Sequence, residues 1–263
     1  TKISVLPILL PLAVVYGRLL WLAIHSYITS VKLNGVKNVV TQALVAGTVA
    51  ITVYLFWTPY ALLDYPAFLQ WNLREIDIIR HAGIVPYTVQ YIEAPKFIYE
   101  LGQTIIWGMG IPLGLLAWCG FFVTVLCNFL KPKLYQVLLL LWVVPLLLTV
   151  VSVEVKFARY MFPLIPILIL MGSGTVWTSM EWLRKHHRRL SFVAASLIGV
   201  VLAATVFYAF AFEAIYSKPH TAVQASNWIN DNIPDGARIL MDNHWDEGIP
   251  NLGRYSVAGL PMF

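Results

Sequence analysis

Apolar residues gathered into runs of 20 or more decide what this chain can fold into. At about 1.5 Å of rise per residue, a helix of that length crosses a hydrocarbon core of about 30 Å. Of the 263 residues, 59% are hydrophobic and 12% are charged, too little charge for the patch-free surface of a soluble domain. The chain therefore reads as a polytopic membrane protein, and a soluble single-domain fold is excluded.

Six spans are expected, Ile3 to Ile24, Val39 to Thr58, Thr104 to Cys127, Leu134 to Val153, Tyr160 to Met180 and Ser191 to Phe212. They make an all-α transmembrane domain over residues 1–212, interrupted by a long loop over 59–103. Three short connections carry Lys32, Lys37, Lys131, Lys133, Arg184, Lys185, Arg188 and Arg189 against one acid, Glu181, and are expected to face the cytoplasm. The loop 59–103, the link Glu154 to Arg159 and the tail from Glu213 hold 12 of the 13 acidic residues and are expected outside. The net charge of +5 belongs to this topology, and no nucleic-acid motif accompanies it.

In the long loop, Pro66 to Ala82 reads as an interfacial helix, with Leu69, Leu73, Ile76 and Ile79 opposite Arg74, Glu75 and Arg80, and Gly83 placed to end it. After the sixth span the pattern changes. Thr221 to Asn232 reads as a helix, Ile233 to Gly236 as a turn and Ala237 to Asp242 as a strand, the start of an external α/β domain over 213–263. Residues 3–24 show no charged leader and no small-residue cleavage site, so they do not read as a signal peptide. Thr1 stands at a span and Phe263 inside an unfinished domain, so the sequence reads as a fragment. Cys119 and Cys127 are about 12 Å apart along one helix, out of disulfide reach, and read as packing residues.

The strongest chemical signal is Val155-Lys-Phe-Ala-Arg-Tyr160-Met-Phe-Pro-Leu-Ile-Pro166, which puts two cations at the mouth of a span. Charge at a membrane boundary is costly unless paired or hydrated, and Lys156 with Arg159 suits a phosphate at headgroup level. Snorkelling to lipid headgroups or pairing with Glu154 would satisfy the same side chains. Arg80, His81, Tyr87, Gln90, Tyr91 and Glu93 form a second polar cluster, in which His81 and a carboxylate could move a proton or hold a metal. Alternation in Asp242, His244 and Asp246 makes a weak metal comb or a solvated strand, so a divalent metal cofactor is left open. Gly110 with Gly114, and Gly172 with Gly174, read as helix-packing positions. The run Arg184 to Arg189 reads as a topology anchor that anionic membrane lipid would also bind.

Lys156 to Pro166, the loop Pro86-Tyr87 through Gln90-Tyr91 to Leu101 and Trp107 to Gly110, and the tail Ala225 to Ile229, Ile233 to Gly236 and His244-Trp-Asp246 together resemble polytopic membrane glycosyltransferases of the GT-C superfamily. The archaeal and Chloroflexi YYY-type membrane proteins, similar to protein O-mannosyltransferases, are the nearest likeness, and the stretch here corresponds to their later half. The resemblance implies transfer of a sugar from a polyprenyl- or dolichyl-phosphate donor to a glycan or protein acceptor on the external face. It also implies an acidic residue in a first external loop as proton acceptor and cations on the phosphate. That loop is not in this sequence, so no catalytic carboxylate is assigned, and Lys156, Arg159 and Tyr160 are the expected phosphate contacts. A flippase or transporter of lipid-linked glycans, or a non-catalytic scaffold, are the alternatives. Only Arg18 lies well inside a predicted span, which is little charge for an ion-coupled path.

Overall fold

The computed structural model describes residues 8–30, 34–242 and 252–260, and most of them are helical. The chain divides into two compact units, residues 1–201 and residues 202–263. In the first, α1 (Leu9–Ser30) and α2 (Asn34–Trp57) lead into a short α3 (Tyr60–Leu63) and the loop helix α4 (Tyr65–Arg80). A 3-10 segment (Pro86–Tyr91) follows, then α5 (Ile98–Gln103), which widens into a π-helical stretch (Thr104–Gly108). The helices α6 (Ile111–Leu130), α7 (Leu134–Ser152), α8 (Ile165–His186) and α9 (Arg188–Glu213) complete it, α9 running on into the second unit.

Among the described residues, four stretches are long and apolar enough to cross a membrane: Gly35–Trp57, Ile111–Leu130, Leu134–Ser152 and Arg188–Asn232, which contains α9. Six were expected from the sequence. The described part of the first is the shorter apolar helix Leu9–His25. The fifth, α8, is diluted by Gly172, Ser173, Gly174, Thr175 and Thr178 in its middle. Those hydroxyls are not left bare, since Ser173 donates to Ile169 O at 2.8 Å, Thr175 to Met171 O at 3.1 Å and Thr178 to Gly174 O at 3.0 Å. In a medium without water such back-bonding satisfies the side chain without breaking the helix. Large apolar side chains face outward, among them Phe129, Leu130, Leu148 and Phe207, as suits helices surrounded by hydrocarbon.

The inside is built differently. α6 turns Gly114, Ala117, Trp118, Gly120, Phe121 and Thr124 inward, and α8 meets it with Leu168, Met171 and Gly172. A Cβ at Gly120 would lie 2.4 Å from Gly172 Cα, and one at Gly172 would lie 3.0 Å from Ala117 Cα, so the two backbones touch where they cross. Lipid offers no hydrophobic drive to bring helices together, and small residues at a crossing supply the packing instead. Gly114 does the same against Ile105 of the π-helical stretch, at 2.6 Å from its Cα. Gly174 faces open space, so of the expected pair only Gly172 packs. Cys119 and Cys127 are free and exposed on the outward side of α6 rather than packed inside.

Asp64 caps α4 by accepting from Ala67 N at 3.3 Å, Pro66 occupies its first turn and Gly83, at φ +97°, follows its end. Its buried residue is Ile78; of the apolar stripe read from the sequence, Leu69 and Leu73 are exposed while Ile76 and Ile79 are half-buried. The carbonyl of Ile79 accepts from Val155 N at 3.1 Å, tying α4 to the turn after α7.

The second unit contains α10 (Thr221–Asn232), a turn through Gly236, and two parallel strands, β1 (Arg238–Asp242) and β2 (Ser256–Leu260), with Arg238 opposite Ser256. Helix, turn and strand fall where the pattern places them. The side chain of His220 caps α10, accepting from Ala222 N at 3.1 Å, and Tyr255 Oη donates to the helix-end carbonyl of Ile229 at 3.1 Å.

Because a methyl at Gly120 meets backbone, which no rotamer change relieves, Gly120→Ala is expected to destabilise the chain by about 1–3 kcal/mol. Gly174→Ala, in open space, should be neutral or stabilising by up to about 1 kcal/mol through helix propensity. Thermal unfolding midpoints in detergent check the pair, and a loss at Gly174 equal to that at Gly120 refutes the crossing.

Candidate functional site

The turn between α7 and α8 carries the Lys-Phe-Ala-Arg-Tyr stretch, with Ala158–Tyr160 in a 3-10 turn. Its anchors are apolar and polar together. Val155, Met161 and Leu164 are buried, and Trp142 Nε1 on α7 donates to Pro163 O at 3.2 Å. From this base the two cations of the motif part company.

Lys156 points inward and is 3% exposed. Its ammonium is paired with the carboxylate of Glu100 on α5, whose side chain is as deeply buried, and it lies 3.4 Å from Val153 O. Glu100 Oε1 takes the pair, while Oε2 has no hydrogen-bond partner in the structure. The site is held from the other side by Trp118, whose Nε1 donates to Thr104 Oγ1 at 2.9 Å; Thr104 in turn donates to Glu100 O at 2.8 Å. Removing two charges from water costs several kcal/mol per ion before their attraction repays it, so Lys156 is committed to Glu100. Burial places it away from an approaching headgroup.

Arg159 is exposed. Its guanidinium lies 4.3 Å from the centre of the Phe157 ring and 5.7 Å from that of Tyr160. Phe157 is the hub of an aromatic cluster, with Tyr87 at 6.1 Å, Tyr91 at 5.5 Å and Tyr160 at 5.6 Å between ring centres. Tyr91 also meets Tyr99 edge-on at 6.0 Å. Burial pushes the Tyr91 phenol above its ordinary range, with Tyr99 adding to the shift and Arg159 opposing it. The Tyr99 phenol is raised by burial first and by the charge of Glu100 second. Both therefore stay neutral around pH 7 and serve as ring edges and hydroxyl groups. The loop and the turn are thus joined by aromatic edges, while Arg159 lies over the Phe157 and Tyr160 rings of the turn itself and donates a hydrogen bond to the Tyr160 hydroxyl.

Tyr99, Gln103, Phe157, Ala158 and Met161, with Glu100 and Lys156 themselves, line a crevice too tight to admit a water molecule, so a sugar phosphate does not fit within it.

Of the second cluster, Tyr87 and Tyr91 come together on Phe157, and Gln90 Nε2 donates to Tyr87 O at 3.1 Å. His81 Nδ1 is 3.1 Å from Asp77 Oδ1 one helical turn earlier, with both side chains exposed. Arg80 is exposed at the end of α4, and Glu93 is exposed at φ +61°. Glu154 accepts from Ala82 N at 2.8 Å instead of meeting either cation. Among the described residues no group of three or more His, Cys, Asp and Glu could hold a metal. Asp242 ends β1, while His244 and Asp246 lie outside the described residues.

Glu100 is the residue that sequence reasoning missed. It is the last charge before residues 101–130, which contain none, and Lys156 follows the uncharged stretch 134–153 with Glu154 in between. Charges at the edges of charge-free runs are a pairing signal, weak because Glu154 stands nearer that edge and a separation of 56 positions leaves partner choice open. Comparisons with protein families, curated proteins and solved structures find no match.

Breaking a buried pair from one side strands a charge. Lys156→Met and Glu100→Gln should each destabilise by about 3–5 kcal/mol, and the double substitution should recover most of that loss. Unfolding of the three variants in detergent measures the coupling; additive losses would mean that the pair is not what holds the turn.

Proposed function

We propose that this chain belongs to a membrane glycosyltransferase of the GT-C kind, taking a sugar from a polyprenyl- or dolichyl-phosphate donor. The resemblance around Lys156 to Pro166 supports the reaction class. The charge bias of the short turns supports placing the loop 59–103 and the residues after 213 on the external side.

The observation that carries the reading is Arg159, exposed and held over Phe157 and Tyr160 in the turn that precedes α8. A guanidinium in that position offers several donors to a lipid-borne phosphate, and its planar fork matches phosphate oxygens. In transfer the acceptor oxygen forms a bond to the anomeric carbon and gives up its proton to the acidic residue that the resemblance implies in a first external loop, while the bond from that carbon to the phosphate oxygen breaks and the phosphate leaves with the electron pair. Arg159 would meet the charge that grows on that oxygen. Lys156 takes a different part, positioning the turn through Glu100, and Tyr160 supports the guanidinium with its ring.

Arg159→Ala should lower transfer roughly 10- to 100-fold, the equivalent of one charge-assisted hydrogen bond, with little change in unfolding temperature. Arg159→Lys should fall between the two. Incorporation of radiolabelled hexose from polyprenyl-phosphate hexose into membrane acceptors checks this. Donor crossing the bilayer unconsumed would favour a flippase, and neither transfer nor movement would favour a scaffold.

A further inference from the structure

We infer that the turn joining α8 to α9 is a binding surface for the headgroups of anionic phospholipids. α8 ends at His186 and α9 begins at Arg188, so His187 alone joins them. Arg184, Lys185, His186, His187, Arg188 and Arg189 are all exposed, with four permanent positive charges among them and the acid Glu181 one turn earlier. Large apolar residues flank the patch on both sides and are also exposed: Trp177 at 64% and Trp182 at 53% on α8, Leu190 at 53% and Phe192 at 64% on α9.

Within the patch, Trp182 stacks on His186 at 5.0 Å and 24° and meets His187 at 5.7 Å. His186 Nδ1 is 2.9 Å from Trp182 O, and since a carbonyl only accepts, that nitrogen carries the hydrogen. The imidazole is thereby held against the indole. Cations in the last turn of α8 also face the negative end of that helix, which keeps them near its axis.

Charge alone would suit any polyanion. The exposed indoles and aliphatic side chains within two turns of the cations decide the partner, because tryptophan favours the headgroup level and the apolar residues beyond it need hydrocarbon. A soluble polyanion could reach the cations but would leave those side chains in water. Each Lys or Arg near an anionic leaflet contributes roughly fivefold in affinity, so four in one turn give a strong preference over a zwitterionic lipid. This surface is independent of the reaction at Arg159.

The test uses the full chain in phosphatidylcholine vesicles carrying a trace of spin-labelled phosphatidylglycerol or spin-labelled phosphatidylcholine, and reads the motionally restricted fraction. The chain should retain phosphatidylglycerol at least tenfold better than phosphatidylcholine at low salt. The variant R184Q/K185Q/R188Q/R189Q should lose that preference, whereas K131Q/K133Q, at the turn between α6 and α7, should keep it within about twofold. If the fourfold variant does not fold, R188Q/R189Q should lose roughly tenfold or more. Equal retention by wild type and the fourfold variant, an equal loss in K131Q/K133Q, or displacement of the lipid by inorganic phosphate at constant ionic strength would each overturn the assignment.

Discussion

A lysine and a glutamate buried together set the arrangement of the loop and the turn. Glu100 and Lys156 lie on different elements, one on α5 before α6 and the other after α7. Neither charge is tolerable alone in that place, so the pair brings the two segments into one register. Everything near it follows. The Thr104 and Trp118 hydrogen bonds fix the backbone under Glu100, and the Ile79 and Val155 contact fixes the loop helix beside Lys156.

The same pairing separates two cations that sequence alone would put to one task. With Lys156 turned inward, the chain reverses direction within three residues and presents Arg159 outward on Phe157. An aromatic hub is an economical way to hold such a reversal, because ring edges from Tyr87, Tyr91 and Tyr160 can converge on one side chain without leaving polar groups unpaired. The outcome is a neutral buried pair beneath an exposed guanidinium, two electrostatic environments about one helical turn apart in sequence.

Helix packing in the first unit obeys a different economy. Where α6 crosses α8 the contact is backbone on backbone at Gly120 and Gly172, while Leu115, Phe122, Leu126, Phe129 and Leu130 of α6 face away. In water that distribution would be inverted; in hydrocarbon it costs nothing, and close approach gains dispersion contacts. The serines and threonines of α8 fit the same logic, since each returns its hydroxyl to its own helix.

The sequence by itself determined the helical, apolar character of the chain, the helix near Pro66 to Ala82 in the long loop, and the helix, turn and strand after residue 220, because periodicity and turn chemistry are local. It also singled out the Lys156 to Tyr160 stretch and the glycines as packing positions. Only the tertiary structure decided that Lys156 faces Glu100 and Arg159 does not, that Gly172 packs and Gly174 stays open, and that His81 takes Asp77 from its own helix while Glu154 caps Ala82. Those choices depend on which elements become neighbours across tens of residues. A side chain's type and spacing say that it needs a partner, but the fold says which one is within reach.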